Sequence, residues 1–243
     1  MDPGASPGHK NGPVRGNLDL LHPSPKFQEQ RRFQEFARAL IRLPQAGEGA
    51  LDYLLPDAQW QELCSRLGDQ DAWFMGLSRA TGVYFFPSRE WPRRLLRYLK
   101  RLGVGRLLEA GAGRGYLTAA LARLAAGAGL VFRAVDRGEG EFVSTLPVHT
   151  RVEMGDVFRV VREFQPDAVL YAWPPPGQSL ADLFKTPSVR YLLVAGESGG
   201  GVTGAREDWE RLPHKISPYL TRFARGRTGP ERHRVTVFYH RER

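Results

Sequence analysis

The sequence predicts an α/β protein with a doubly wound, mostly parallel sheet, which ends in an antiparallel strand and follows a small helical N-terminal extension. Three observations indicate this class. Short apolar strand patterns alternate with helical patterns from residue 106 onward. A glycine-rich turn joins the first of these strands to its helix. An alternating stretch, 235–239, near the end of the chain has the pattern of an edge or hairpin strand.

The N-terminal 80 residues divide into a polar stretch and a helical one. Residues 1–25 contain repeated Gly and Pro with few apolar side chains, so we expect a disordered tail. Residues 26–80 show helical periodicity and predict a small cap ahead of a core domain, 81–243. Within the cap, Asp57 is expected to N-cap the second helix and Asp69 to begin the third.

The segment 79–91, RATGVYFFPSREW, leads into the core domain. Its aromatic run ends at a proline, and Ser88 is expected to N-cap the next helix. That helix carries five basic residues on its exposed side. They are Arg93, Arg94, Arg97, Lys100 and Arg101. A solvated basic face and a stripe that contacts phosphates are the two interpretations.

The central unit is the stretch 105–136, GRLLEAGAGRGYLTAALARLAAGAGLVFRAVD. The strand Arg106–Ala110 runs into glycines at alternate positions, which let the backbone turn sharply and approach a ligand closely. An amphipathic helix and a second strand follow, and Asp136 ends that strand. Two carboxylates, Glu109 and Asp136, therefore flank the turn.

This pattern differs from two common phosphate-binding motifs. A dinucleotide fingerprint needs a glycine where this chain has Tyr116, and a P-loop needs a Gly-Lys-Ser/Thr run that is absent. Glu109 beside the turn would repel a pyrophosphate, whereas it favours a cationic or hydroxyl-rich ligand.

The E-x-G-x-G-x-G run and the later acid Asp136 resemble motifs I and II of the class I S-adenosylmethionine-dependent methyltransferases, which have a Rossmann-like fold. The resemblance implies that the glycine loop passes under the amino-acid part of the cofactor and that Asp136 binds the ribose hydroxyls. Asp156, after the third strand, resembles the motif III acid that binds the adenine amino group, although an N-cap is the other interpretation. We therefore expect S-adenosyl-L-methionine to contact Glu109, Gly111, Ala112, Gly113, Gly115, Tyr116, Asp136, Arg137, Asp156, Val157 and Trp173.

The loop after the fourth strand, W-P-P-P, is the expected acceptor side. It resembles motif IV of methyltransferases that modify planar amino groups. However, Trp173, which only donates, stands where that motif has Asp, Asn or Ser. We expect Trp173 to act in catalysis, or alternatively to stack on a ligand or anchor the core, and Pro174 and Pro175 to shape the acceptor site. Glu197, between glycines after the fifth strand, is the candidate general base.

Composition limits the remaining possibilities. The 243 residues have a formal charge of +9, which permits a nucleic-acid acceptor as readily as a small molecule. One cysteine and six scattered histidines indicate neither a disulfide nor a metal site, and no apolar stretch predicts a membrane span or signal peptide, so we expect a cytoplasmic protein. An aminopropyl transferase and a basic nucleic-acid-binding module with a vestigial pocket are the alternative functions.

Overall fold

The structure, a computed structural model, describes residues 25–240 of the chain, with side chains from residue 28. The strands within this range form a single seven-stranded sheet. They are β1 (Arg106–Ala110), β2 (Val131–Asp136), β3 (Val152–Met154), β4 (Ala168–Ala172), β5 (Tyr191–Glu197), β6 (His214–Ile216) and β7 (His233–Tyr239). Their order across the sheet is β3-β2-β1-β4-β5-β7-β6.

Helices connect these strands and precede them. They are α1 (Pro25–Leu40), α2 (Asp57–Ser65), α3 (Gln70–Thr81), α4 (Trp91–Arg101), α5 (Thr118–Gly127), α6 (Val157–Phe164), α7 (Arg206–Arg211), α8 (Pro218–Thr221) and α9 (Gly229–Arg232). A 3-10 helix, Ala181–Lys185, lies between β4 and β5. The apolar spacing of α5 and α6 that the sequence shows accounts for both helices, because it places their apolar side chains against the sheet.

The strand order reverses at the centre of the sheet. Strand β1 pairs in parallel with β2 on one side and with β4 on the other, and β4 pairs in parallel with β5. Strand β7 is antiparallel to both β5 and β6. In such open α/β sheets, ligands bind at the carboxyl ends of the strands where the order reverses. The predicted doubly wound, mostly parallel fold is therefore confirmed, and its switch point lies between β1 and β4.

Helices cover both faces of the sheet, as a parallel sheet requires. On one face, Leu95 of α4 and Leu121 of α5 are buried against Leu107 of β1. On the other face, Val160 and Phe164 of α6 are buried in a second apolar layer. The central strands β1, β4 and β5 are buried along most of their length, so polar side chains at their carboxyl ends are the places where the domain can bind ligands.

The helices α1, α2 and α3 form a helical cap with its own apolar core. Trp60 and Phe74 are fully buried there, and Tyr116, two residues before α5, is buried with them. A buried ion pair also joins the cap to the C-terminal part of the chain. The Nη2 atom of Arg225 lies 2.8 Å from Oδ1 of Asp57, and both side chains are less than a tenth exposed.

Two predicted helix caps were wrong. Asp57 is the first residue of α2 rather than its N-cap, because its carboxylate is used by Arg225 and by the side chain of Gln61. Ser88 lies two residues before the N-cap Glu90, and its hydroxyl donates to the carbonyl of Phe223. The local sequence favoured capping at both positions. In the folded protein, however, the Asp57 carboxylate and the Ser88 hydroxyl form hydrogen bonds with residues distant in sequence. Asp69 does cap α3, accepting from the amide of Ala72.

The C-terminal part of the sheet differs from its predicted form in one respect. The strand β7 was expected at an edge or in a hairpin, and it lies inside the sheet between β5 and β6, antiparallel to both. The edge is the three-residue β6. Apart from Pro25, the predicted tail 1–25 lies outside the described residues. The boundaries 26–80 and 81–243 stay predictions.

None of the helices within residues 25–240 is long and apolar enough to cross a membrane. No group of three or more His, Cys, Asp or Glu side chains in the same range is arranged to hold a metal ion.

We predict that Arg225→Met lowers the free energy of unfolding by about 3–5 kcal/mol, because it leaves the Asp57 carboxylate buried without its partner. Arg66→Met is the control, since Arg66 forms an exposed pair with Glu62 and such pairs contribute about 0–1 kcal/mol. Urea unfolding of both variants measures the difference. Equal losses would show that the buried ion pair does not hold the cap to the core.

Candidate functional site

The glycine bend, residues 110–117 between β1 and α5, has its three alternate glycines in the left-handed region. Their φ angles are 61° at Gly111, 56° at Gly113 and 89° at Gly115. A Cβ on Gly111 would lie 2.5 Å from the ring of Tyr171, and one on Gly115 would lie 2.5 Å from Cβ of His149. A Cβ on Gly113 would meet nothing within 4 Å. The bend is thus packed at both ends and open at its middle glycine.

Asp136 lies across this opening, at the end of β2. Its Oδ2 accepts from the amide of Gly113 at 2.7 Å, and its Oδ1 accepts from the amide of Gly138 at 2.6 Å. Each carboxylate oxygen keeps further lone pairs, so Asp136 can accept hydrogen bonds from a ligand's hydroxyls as well. The side chain therefore fixes the bend and presents acceptors beside it.

Glu109 lies beneath the bend and is only 3% exposed. Its Oε2 accepts from the hydroxyl of Thr118, the first residue of α5, at 2.8 Å. Desolvation, with a smaller contribution from the charge of Asp136, raises the pKa of Glu109 to about 8. Near neutral pH the buried carboxyl thus tends to keep its proton, and a cation bound at the bend would favour its charged form.

Asp156 caps α6 and forms an ion pair at the same time. Its Oδ1 accepts from the amide of Arg159 at 2.9 Å, and its Oδ2 forms an ion pair with Arg137. Burial opposes the charged form, but the hydrogen bonds from Arg137 and the Arg159 amide lower the pKa of Asp156. Val157 begins α6 and is buried. Asp156 and Val157, the residues expected near the adenine, therefore both lie just after β3. The Asp156 carboxylate is already paired with Arg137.

Tyr116 and Ala112 were also predicted to contact the cofactor. The ring of Tyr116 is buried in the helical cap, 5.5 Å from the ring of Tyr53 and edge-on to it, so Tyr116 can reach a ligand at the bend only through its backbone. Ala112 is half-buried, and its amide donates to the carbonyl of Val135. The bend itself is thus tied to the end of β2.

Trp173 begins the W-P-P-P loop in a strained conformation. Its φ is 54°, and a bulky residue in that region costs about 1–3 kcal/mol. The ring is 7% exposed and its Nε1 has no hydrogen-bond partner among the described residues. Of the three roles considered from the sequence, the packing role is the one these contacts support. Stacking on a ligand would require the ring to be more open.

The prolines that follow are tied to the glycine-rich stretch after β5. The carbonyls of Pro174 and Pro175 both accept from the amide of Gly204, at 3.2 Å each. Pro174 is buried and Pro175 is exposed. Both carbonyls therefore accept from the backbone that follows β5, which fixes the loop against that stretch.

Glu197 ends β5 at the same edge of the sheet. Its Oε1 forms an ion pair with Arg232, and Arg232 also lies 3.4 Å from Asp71 of the helical cap. Its Oε2 is buried and has no hydrogen-bond partner within residues 25–240. One oxygen is therefore held in place while the other is free to accept.

His233, which pairs with Glu197 in the register between β5 and β7, was not predicted as a site residue. Its ring is fully buried, 6.1 Å from the ring of Trp173, and both ring nitrogens lack partners among the described residues. Desolvation, together with the charges of Arg234 and Arg225, lowers its pKa to about 3, so the ring is neutral near pH 7. No motif or spacing in the sequence indicated it.

Gly226 makes this close packing possible. A Cβ there would lie 2.2 Å from Nδ1 of His233 and 2.7 Å from Nε1 of Trp173. The next residue, Arg227, forms an ion pair with Glu141 and lies 5.5 Å from the ring of Trp173. The segment 225–227 therefore closes the acceptor side, and it also pairs with the aromatic segment before α4, because the amide of Phe86 donates to the carbonyl of Arg225.

The raised pKa of Glu109 sets a pH dependence of stability. Between about 4.5 and 8 the folded protein keeps the proton that the unfolded chain has lost, so stability falls as the pH rises through this window. We predict that Glu109→Gln, which retains an acceptor for Thr118, removes this fall and is more stable than the wild type at pH 9 by roughly 2–4 kcal/mol.

Urea unfolding at pH 5 and pH 9 measures this effect. Glu62→Gln is the control, because the Glu62 side chain is 64% exposed. If Glu109→Gln and the wild type lost stability equally between the two pH values, Glu109 would not be protonated in the folded state.

The chain resembles several solved structures in fold, and its sequence identity to them is low. No family model and no curated protein matches the chain. The solved structures that resemble it include human N-acetylserotonin methyltransferase in complex with SAM, at 10% identity and a TM-score of 0.39, covering 88% of this chain and 66% of that one. They also include the S-adenosylmethionine-dependent methyltransferase SibL, at 15% identity and a TM-score of 0.39, covering 90% of this chain and 70% of that one.

The methyltransferase domain of bacterial CtHen1 is a third, at 12% identity and a TM-score of 0.37, covering 62% of this chain and 99% of that one. Likenesses at this level leave the activity of the present chain open. Its own sheet order, with β7 antiparallel between β5 and β6 and the glycine bend at the switch point, carries more weight. The chain therefore has a Rossmann-like, doubly wound α/β fold.

Proposed function

We propose that this protein is a methyltransferase that uses S-adenosyl-L-methionine. The observation that carries the proposal is the glycine bend, which is open at Gly113 and has the Asp136 carboxylate across it. It lies at the carboxyl end of the central strand, where a sheet of this order binds its ligand.

The residues of the bend fit such a cofactor in shape and charge. The open face of Gly113 leaves room for the amino-acid part, and Asp136 offers acceptors to the ribose hydroxyls. The carboxyl of Glu109 beneath the bend would gain a counterion from the cationic ligand. Each oxygen of Asp156 already accepts once, Oδ2 from Arg137 and Oδ1 from the Arg159 amide, so the adenine amino group would bind through a remaining lone pair of a shared oxygen.

When bound, the cofactor would supply an activated methyl group, so the chain has mainly to position the acceptor and exclude water. Trp173 and Pro174 form a rigid wall at the end of β4. The free oxygen of Glu197 supports its proposed role as general base. The neutral ring of His233, the register partner of Glu197, has an unprotonated nitrogen that is a further acceptor beside this carboxylate.

The aminopropyl transferase alternative receives less support from these residues. Such chemistry needs acids lining an amine site after the fourth strand, whereas the W-P-P-P loop has none and Arg227 brings a positive charge close to it. A module with a vestigial pocket would not need Gly113 to stay open or Asp136 to stay beside it.

Titration calorimetry with S-adenosyl-L-methionine tests the proposal. We expect Asp136→Asn to weaken binding at least tenfold, because the ribose loses one of its acceptors. Asp167→Asn is a matched control. Asp167 also accepts from two backbone amides, those of Gly105 and Arg106 at 2.7 and 2.9 Å, but at the opposite end of β1. No binding by the wild type, or equal weakening in both variants, would falsify the proposal.

A second pair of variants tests the bend itself. We predict that Gly113→Ala weakens cofactor binding at least tenfold, since the new methyl group enters the open space above the bend. Gly103→Ala is the control, because Gly103 also has a positive φ and nothing within 4 Å of its Cβ position, but it precedes β1. Both should lose about 1–2 kcal/mol of stability from the left-handed backbone. Equal affinities for the cofactor in the two variants would place the ligand elsewhere.

A further inference from the structure

The α4 helix and the segment after α8 together form a surface that the proposed function does not use. We call it the basic face. It consists of Arg93, Arg94, Arg97, Lys100, Arg101 and Arg222. Arg94 is half-buried and the others are exposed.

The positive charge of the basic face is not neutralised locally. Neither α4 nor the stretch 218–228 contains an acidic residue. Within residues 25–240, none of the six side chains takes part in an ion pair. Elsewhere on the surface, by contrast, Arg66, Arg159 and Arg206 each pair with a glutamate on the same helix. The basic face is therefore a concentrated source of positive potential rather than a solvated mixture of charges.

Aromatic rings lie between these cations. The guanidinium of Arg94 lies 4.7 Å from the ring centre of Tyr219 and 3.9 Å from that of Phe223. The Nε of Arg97 donates to the Tyr219 hydroxyl at 3.4 Å, and Tyr98 stacks on Tyr219 with centroids 6.5 Å apart. These contacts preorganise Arg94 and Arg97, which lowers the entropy lost when a partner binds.

The arginines on α4 follow a regular spacing. Arg93, Arg97 and Arg101 are four residues apart, so they lie along one side of the helix at intervals of about 6 Å. Five of the six cations are arginines, whose planar forks match phosphate oxygens in bidentate geometry. The row therefore suits an extended polyanion better than a single small anion.

The apolar side chains of α4 bear on the choice of partner. Trp91, Leu95 and Leu99 are buried against the sheet, so the helix has no apolar side to insert into a lipid surface. Flat aromatic and guanidinium groups interleaved with positive charge are instead the features of surfaces that bind single-stranded nucleic acids. An acidic peptide would satisfy the charges but would make no use of the rings.

We propose that the basic face binds single-stranded nucleic acid through its phosphate backbone. The chain links the basic face to the candidate site, because Arg222 is followed five residues later by Arg227, which lies over the ring of Trp173. The binding proposal is independent of the methyltransferase assignment, which is tested by cofactor affinity alone.

Fluorescence anisotropy with a labelled 20-nucleotide single-stranded RNA tests this binding. We expect micromolar affinity at about 100 mM salt, falling steeply as salt increases. The triple variant Arg93→Gln, Arg97→Gln, Arg101→Gln should bind at least tenfold more weakly. Its slope of log affinity against log salt should be smaller by up to about 2, because each lost phosphate contact accounts for about 0.7 on a single strand.

A second triple variant separates the basic face from net charge. Arg66→Gln, Arg159→Gln, Arg206→Gln removes the same charge from exposed helices, and each position loses a partner only four residues away. We expect RNA affinity within threefold of the wild type. Thermal melting of both triple variants checks that they are folded, and the exposed positions should keep both melting temperatures close to that of the wild type.

Three outcomes would overturn the proposal. Equal weakening by the two triple variants would mean that only net charge attracts RNA. Absence of RNA binding by the wild type at 100 mM salt would remove the site altogether. Equal or tighter binding of a labelled polyglutamate of matched charge would identify the partner as an acidic polypeptide instead.

Discussion

The fold depends on the glycine bend between β1 and α5, where a side chain at Gly111 or Gly115 would collide with its neighbours. Strand β1 must reverse into α5 within a few residues, with Tyr171 on one side and His149 on the other. Only glycine tolerates both the contacts and the left-handed conformation at Gly111 and Gly115. The same turn receives the carboxylate of Asp136 through the amide of Gly113, so it couples β1 to β2 and leaves one open surface between them.

The two carboxyl groups beside this bend lie in different environments. Glu109 is buried with a raised pKa, whereas Asp136 is half-buried and holds two amides. The buried carboxyl of Glu109 therefore tends to be neutral near pH 7, whereas the carboxylate of Asp136 is held in place at the rim of the bend.

The C-terminal segment from α8 to β7 joins parts of the molecule that are far apart in sequence. Arg225 holds the helical cap through Asp57, Gly226 lets Trp173 and His233 come together, and Arg227 covers the Trp173 ring. Arg232 links Glu197 to the cap residue Asp71. The cap and the acceptor side are consequently not independent, because substitutions in this segment would change both.

The sequence by itself determined the local features. Glycine spacing, the acids that follow the strands and the apolar periodicity of α5 and α6 depend on neighbours a few residues away, so they identified the bend, Asp136 and the parallel core. The same reasoning located Asp156 and gave capping as the alternative to adenine binding, and the cap to the amide three residues on is present.

Only the tertiary structure decided which polar atoms met which partners. Asp57 and Ser88 have the residue types of caps, but Arg225 and the carbonyl of Phe223, each more than 130 residues away, engage them instead. The burial of Trp173 against His233 and the three-residue β6 arose in the same way. Such contacts join residues that are far apart in sequence. Neither the types of these residues nor their spacing along the chain forms a motif, so the sequence carries no local signal for the contacts.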